Sequence, residues 1–293
     1  MMSQGLKAAL QHTWKFWLEV GDELVLHKAS LMAAGIAYFA VLAVFPLLLV
    51  VMAAGAAIIG SSQKMLDLIY EGLSQIMIPS AVGTIITVIS EAIDSGLLVG
   101  GLSILLLVWA ATHVFRLTST ALDSLWRAKH RPRAVVNILR SLLVVTVLTV
   151  SGLLAFGLTV TFSLIENWSA EHPMVLGLTS LFSPMPSWTS PLLGFGLTLI
   201  FYTLAHKYLP TRKIAWKYAL VAGMLSGTMS EAAKLLFTLL VVRPGSYLHI
   251  YGPIAGMVLL VLWFYYAANC LLIGAAAARL YEKQELAQQG EEV

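Results

Sequence analysis

The chain has 293 residues, 59% of them hydrophobic and 11% charged, with a mean hydropathy of +0.84. A soluble domain carries roughly 25% charged residues, so this composition excludes an ordinary soluble domain and points to a polytopic membrane protein. The net charge of +3 decides little, and a single cysteine, Cys270, excludes an internal disulfide and any cysteine-based metal cluster.

The first predicted element is an amphipathic helix over residues 5–26, in which Leu6, Leu10, Trp14, Trp17 and Leu18 repeat at helical spacing while Phe16 lies off the stripe. Two tryptophans on one apolar face suit a helix on the cytoplasmic membrane surface; packing against the protein's own loops is the alternative. The first long apolar run begins near Ala29 and is too long for the core of a signal peptide. Six membrane helices are predicted, at about 29–59, 96–115, 135–163, 190–209, 215–242 and 253–280. Pro46 in the first of them removes a backbone hydrogen bond, so a kink is expected there, with freed carbonyls available to a cavity.

Lysine and arginine give the orientation. Fifteen of the eighteen fall on one side: Lys7, Lys15 and Lys28; Arg116, Arg127, Lys129, Arg131, Arg133 and Arg140; Lys207, Arg212, Lys213 and Lys217; Arg279 and Lys283. Only Lys64 and Arg243 fall on the other. Both termini are therefore expected in the cytoplasm. The domain organisation that follows is a cytoplasmic amphipathic segment at 1–28, a six-helix transmembrane domain at 29–280 and a cytoplasmic tail at 281–293. The basic run Arg127 to Arg133 reads as this same signal, with attraction to anionic headgroups, and nucleic acid is not an expected partner. Asp123 and Arg127, spaced i,i+4, predict a helical salt bridge.

Two exterior loops carry further patterns. In 61–95, Met65, Leu66, Ile69, Leu73, Ile76 and Met77 recur at helical spacing, followed by Val82, Ile85, Ile86, Ile89 and Ile93. Short helices at the outer interface fit both series. The loop around 164–189 carries Trp168, Trp188 and several prolines, which suits an interfacial anchor.

The eighteenth basic residue is Lys234, three positions after Glu231 inside an apolar stretch at 219–242. Ionisable groups within a span are costly, and at i,i+3 the two share a helix face and neutralise each other. They are the leading candidates for substrate binding or proton exchange; a pair that merely fixes helix register is the alternative. Ser230, Tyr38 and Tyr265 are candidate hydroxyls for the same cavity. Gly223 and Gly227 form a small-xxx-small pair for close helix packing. Arg243, Tyr247 and Tyr251 crowd one outer loop with His249 and form a candidate outer gate, or a constrained re-entrant turn.

The stretches ASLMAAGIAYFAVLAVFPLLL at 29–49, ALDSLWRAKHRPR at 121–133, YLPTRKIAWKYALVAGMLSGTMSEAAKLLF at 208–237, SYLHIYGPIAGMVLLVLWFYY at 246–266 and LLIGAAAA at 271–278 resemble, in order, the YihY/virulence factor BrkB family of bacterial inner-membrane proteins. Glu231 and Lys234 match the family pattern, whereas Ala276 stands where the family often has a glutamate, which removes a second intramembrane carboxylate. The family carries a historical ribonuclease label. A metal-dependent nuclease needs clustered histidines and carboxylates, and the seven histidines here (His12, His27, His113, His130, His172, His206 and His249) are scattered with no such run. The resemblance implies a transport-type protein of the inner membrane; the predicted spans make it all-α, and with no nucleophile–base arrangement or metal spacing visible, no cofactor, metal or enzymatic activity is expected. Its partners would be membrane lipids and a small solute, ion or lipid, with an oligomer or an envelope protein as a further partner. Three roles are open at this point: export of a small solute or ion, translocation of a lipid or lipid-linked precursor, and a scaffold that transports nothing.

Overall fold

In a computed structural model, residues 4–74, 82–83, 86–87, 89–91, 101–128, 189–237 and 255–289 are described. Among them every regular element is helical: α1 (Gln4–Leu26), α2 (Ala29–Ile59), α3 (Ser62–Ser74), α4 (Gly101–Leu125), α5 (Thr189–Tyr208), α6 (Trp216–Phe237) and α7 (Ala255–Gln289). The predicted span at 135–163, the loop around 164–189 and the gate residues Arg243, Tyr247 and Tyr251 lie outside the described residues.

Three described helices are long and apolar enough to cross a bilayer, at Ala29–Met52, Leu105–Leu125 and Met257–Gln289. Helices α5 and α6 form where spans were predicted and have 20 and 22 residues, close to the thickness of the hydrocarbon core. Helix α6 falls short in apolar content because it carries Lys217, Glu231 and Lys234. Helix α2 runs as one element through Pro46. Two predicted ends move outward. Helix α4 continues past Arg116 to Leu125, and α7 continues past residue 280 to Gln289, so most of the expected tail is helix. A helix need not stop where it leaves the lipid, and both extensions are held by contacts described below.

Helix α7 is the hub: it packs along α6 and α2 and also meets α1, α4 and α5. Helix α2 lies against α4, and α5 against α6. The main core gathers toward the basic end of the bundle, where fully buried Leu122 of α4 and Trp126 just after it meet Ala205 of α5, Ala222 of α6 and the run Ala275–Ala278 of α7. Small residues let the backbones approach. A Cβ on Gly223 would overlap Thr203 of α5, and one on Gly274 would overlap the Ser226 hydroxyl and lie 2.7 Å from the Ala222 carbonyl of α6. At the other end a smaller cluster joins Met52 of α2 to Leu66, Ile69 and Ile89, so residues of the two apolar series in 61–95 fold back on α2.

Helix α1 has two apolar faces. Phe16, off the predicted stripe, packs with Val20 and Leu24 on the core, while Trp14, Trp17 and Leu18 point outward, Trp14 being 67% exposed. That outward stripe is unpartnered by the protein's own described loops. Helix α4 ends in a Schellman motif, in which Ala128 N–H donates to the Asp123 carbonyl at 3.0 Å and Arg127 N–H to Ser124 at 3.3 Å. Arg127 occupies the left-handed position, φ 49°, usually given to glycine. This turn breaks the i,i+4 geometry, and the expected Asp123–Arg127 pair does not form. Arg127 instead donates to Glu23 of α1 at 2.9 Å, and Asp123 accepts the Thr211 backbone N–H at 2.6 Å.

Candidate functional site

The pair singled out by the sequence is present and has a third member. Lys234 Nζ donates to Glu231 Oε1 across one turn of α6, and the Thr198 hydroxyl of α5 donates to the same oxygen at 2.8 Å. Both charged side chains are partly buried, Glu231 at 28% and Lys234 at 42% exposure. The carboxylate thus has one ionic and one neutral donor, and it sits on the α5–α6 seam rather than inside a single helix.

Ser230, next in sequence, is buried and accepts a hydrogen bond from the Tyr202 hydroxyl at 3.3 Å; that hydroxyl also lies 3.3 Å from the Ala267 carbonyl of α7. One turn further along α5, His206 is fully buried with Nε2 2.9 Å from the Ser226 hydroxyl of α6. Its Nδ1 has no hydrogen-bond partner among the described residues. Thr198, Tyr202 and His206 follow at i, i+4 and i+8, so they form one stripe on α5, each facing a polar group of α6. None of the three was among the predicted site residues. The signal was there: a polar stripe of helical period through an apolar helix.

The other predicted members fare differently. Tyr38 is not brought to this seam; it points outward from α2, 58% exposed, with its ring edge-on to Phe39. Tyr265 is half-buried on α7, two residues before the carbonyl that meets Tyr202, and packs on the main core. Pro46 lies on α2, whose principal neighbours are α4, α7 and α3. Ala276, the departure from the family pattern, is buried in the alanine run of α7. Among the described residues no group of histidine, cysteine, aspartate and glutamate side chains is arranged to hold a metal ion.

A second charged centre closes the basic end. Arg212, in the α5–α6 connection, grips the buried Glu282 of α7 with both terminal nitrogens, at 3.1 and 2.9 Å, and Arg279 donates to the same carboxylate at 2.7 Å. Arg212 also reaches the Trp126 carbonyl at 3.2 Å, and Lys217 pairs with Glu285. These contacts are what extend α7 beyond the predicted span.

Apolar helices of spanning length around a buried polar seam define an all-helical membrane protein. The comparisons with known proteins make this specific: the virulence factor BrkB family matches residues 20–292, and the chain belongs to that family. A UPF0761 membrane protein from Aliivibrio salmonicida is 24% identical over 277 residues, covering 94% of this chain and 85% of the relative. A UPF0761 membrane protein from Alkalilimnicola ehrlichii is 25% identical, covering 88% of this chain but 58% of the relative. One from Pseudomonas paraeruginosa is 28% identical, with 91% and 64% covered. No solved structure matches the chain.

Proposed function

We propose that this chain is a transporter or exporter of a small solute or ion in the bacterial inner membrane, with Glu231 and Lys234 at its binding or exchange site. It would cross the membrane six times with both termini in the cytoplasm, and it would carry out no enzymatic reaction. The observation that carries the reading is the shared Glu231 oxygen, which accepts from Lys234 on its own helix and from Thr198 on the neighbouring one. A charged ligand or a proton that takes the carboxylate breaks its contact with Lys234 and weakens a bond between α5 and α6. A ligand shifts an equilibrium only by binding one state better, and here the two states differ by those two contacts. Ionisable groups at membrane depth are functional by default because hydrophobic residues would be cheaper there.

Lipid translocation is the second reading. It is favoured by the outward stripe of Trp14, Trp17 and Leu18 on α1, a face fitted to the headgroup boundary. One experiment addresses both. Wild type and Glu231→Gln are purified in native membrane discs, and the molecules they retain are identified by mass spectrometry. A solute held by the wild type and lost from the variant is the expected result; a lipid lost in the same way selects the second reading. Identical contents in both would remove Glu231 from a solute- or lipid-binding site and leave proton exchange as its only transport role.

A further inference from the structure

The α5–α6 seam holds more polar chemistry than a binding pair requires. From Thr198 to His206 the stripe rises about 12 Å along α5, nearly half the hydrocarbon thickness. At one end stands a partly exposed carboxylate; at the other, His206 lies two residues before the last residue of α5, beside the basic end. At Gly223 the seam is also too tight for a solute. Gly223 meets Thr203 so closely that even a methyl group would overlap it, and on the far side α7 presses Gly274 against Ser226. A proton needs no cavity, only a succession of hydroxyl, imidazole and water partners.

We propose that this seam is a proton file that couples the Glu231 site to the basic face, with His206 as its inner station. The inference rests on the site assigned to Glu231 above and names the ion that site exchanges. Three rungs make the file: Thr198 with Glu231, Tyr202 with Ser230, and His206 with Ser226. Successive rungs are about 6 Å apart along the helix, a gap that one bridging water spans. A proton entering at Glu231 neutralises the carboxylate and breaks its contact with Lys234. Each hydroxyl then accepts a proton on its oxygen and passes its own onward. The imidazole accepts at one ring nitrogen and yields from the other, ending as the opposite neutral tautomer. It has to exchange tautomers before the next cycle, and nothing is oxidised or reduced.

His206 is suited to this by its two nitrogens. One is engaged with Ser226 and the other, buried, has no partner among the described residues. Either neutral tautomer donates from one nitrogen and accepts at the other, so a single imidazole can take a proton on one side and yield one on the other. Among the described residues, the other titratable groups facing the file are Glu231 and Lys234 of α6 and Cys270 of α7, near the Tyr202 hydroxyl. On α5 itself, Lys207 is turned away to the Ile214 carbonyl.

The test uses the full chain in proteoliposomes with a pH-sensitive dye inside, a potassium diffusion potential as driving force and the proton as the probe. Wild-type vesicles should change internal pH about tenfold faster than protein-free ones, and His206→Gln and Tyr202→Phe should each cut the excess about a hundredfold, to background. Glutamine keeps a donor for Ser226, and phenylalanine keeps the ring, so neither variant should unfold; a thermal melt in detergent checks this. Wild-type flux equal to that of empty vesicles, or undiminished flux in both folded variants, overturns the file. Loss in Glu231→Gln with no loss in His206→Gln or Tyr202→Phe also overturns it, yet leaves the Glu231 site standing. The reading of Glu231 as a solute- or lipid-binding site fails separately, in the retained-molecule experiment.

Discussion

Two carboxylates hold cations in two regions of this molecule, and the difference between them separates a structural ion pair from one that can move. Glu282 is buried at the basic end, takes three hydrogen bonds from Arg212 and Arg279, and joins the α5–α6 connection to α7. Glu231 is partly exposed, offers a single oxygen to Lys234 and Thr198, and lies on a helix seam. The first is saturated by planar guanidinium forks whose geometry matches a carboxylate. The second is held by a flexible ammonium one turn away and by one hydroxyl, both of which can be exchanged for a ligand. A carboxylate that works in transport needs partners it can give up; one that fixes a fold does not.

The comparison breaks first at Glu282. Glu282→Ala leaves two arginines facing a buried site, and breaking a buried pair from one side costs about 3–5 kcal/mol. Because Arg212 keeps a third of its surface in solvent, a loss near about 3 kcal/mol is expected. Glu231→Gln should cost less, because glutamine keeps an acceptor oxygen for both Lys234 and Thr198. Denaturant unfolding of both variants in mixed micelles reads the contrast, and equal losses would erase the distinction drawn here. Gly223→Ala comes next. The added methyl overlaps Thr203 in the closest part of the α5–α6 seam, and overpacking of this kind costs about 1–3 kcal/mol. The same measurement checks it; a neutral effect would mean that the seam can spread and that a solute could pass there.

The two carboxylates were unequally legible in the sequence. Glu231 and Lys234 stand out because charge inside an apolar run is rare, and i,i+3 spacing already states that they meet. Thr198 could not be paired with Glu231 in advance, since the contact joins two helices and depends on how α5 and α6 rotate against each other. Glu282 looked like part of a polar tail; its role comes from Arg212, 70 residues away in the chain. Helix α1 was placed correctly as an amphipathic element, yet Phe16, read as off the stripe, belongs to the face that reaches the core. Periodicity finds an apolar face but does not say whether protein or lipid covers it. The Asp123–Arg127 pair failed for a local reason, because a helix end with a left-handed residue carries i+4 away from i.

That failed pair gives the smallest and most specific expectation. Arg127 adopts a backbone conformation that is strained by about 1–2 kcal/mol for an L-residue, and its side chain is about half exposed while bonded to Glu23. Arg127→Gly relieves the strain and removes the ion pair, which is worth about 1 kcal/mol or less at such exposure. Global stability should therefore change by less than about 1 kcal/mol, while α1 loses its tie to the end of α4. Arg127→Ala keeps the strain and loses the pair, so it should be the less stable of the two. Tryptophan fluorescence with a quencher reports α1 through Trp14 and Trp17, and both variants should show the same increase over wild type. A change in Arg127→Ala alone would place the effect in the backbone turn. A change in neither would mean that the packing of Phe16, Val20 and Leu24 holds α1 without help from the ion pair, and that the charged contacts of Glu282 matter more to this end of the fold than that of Glu23.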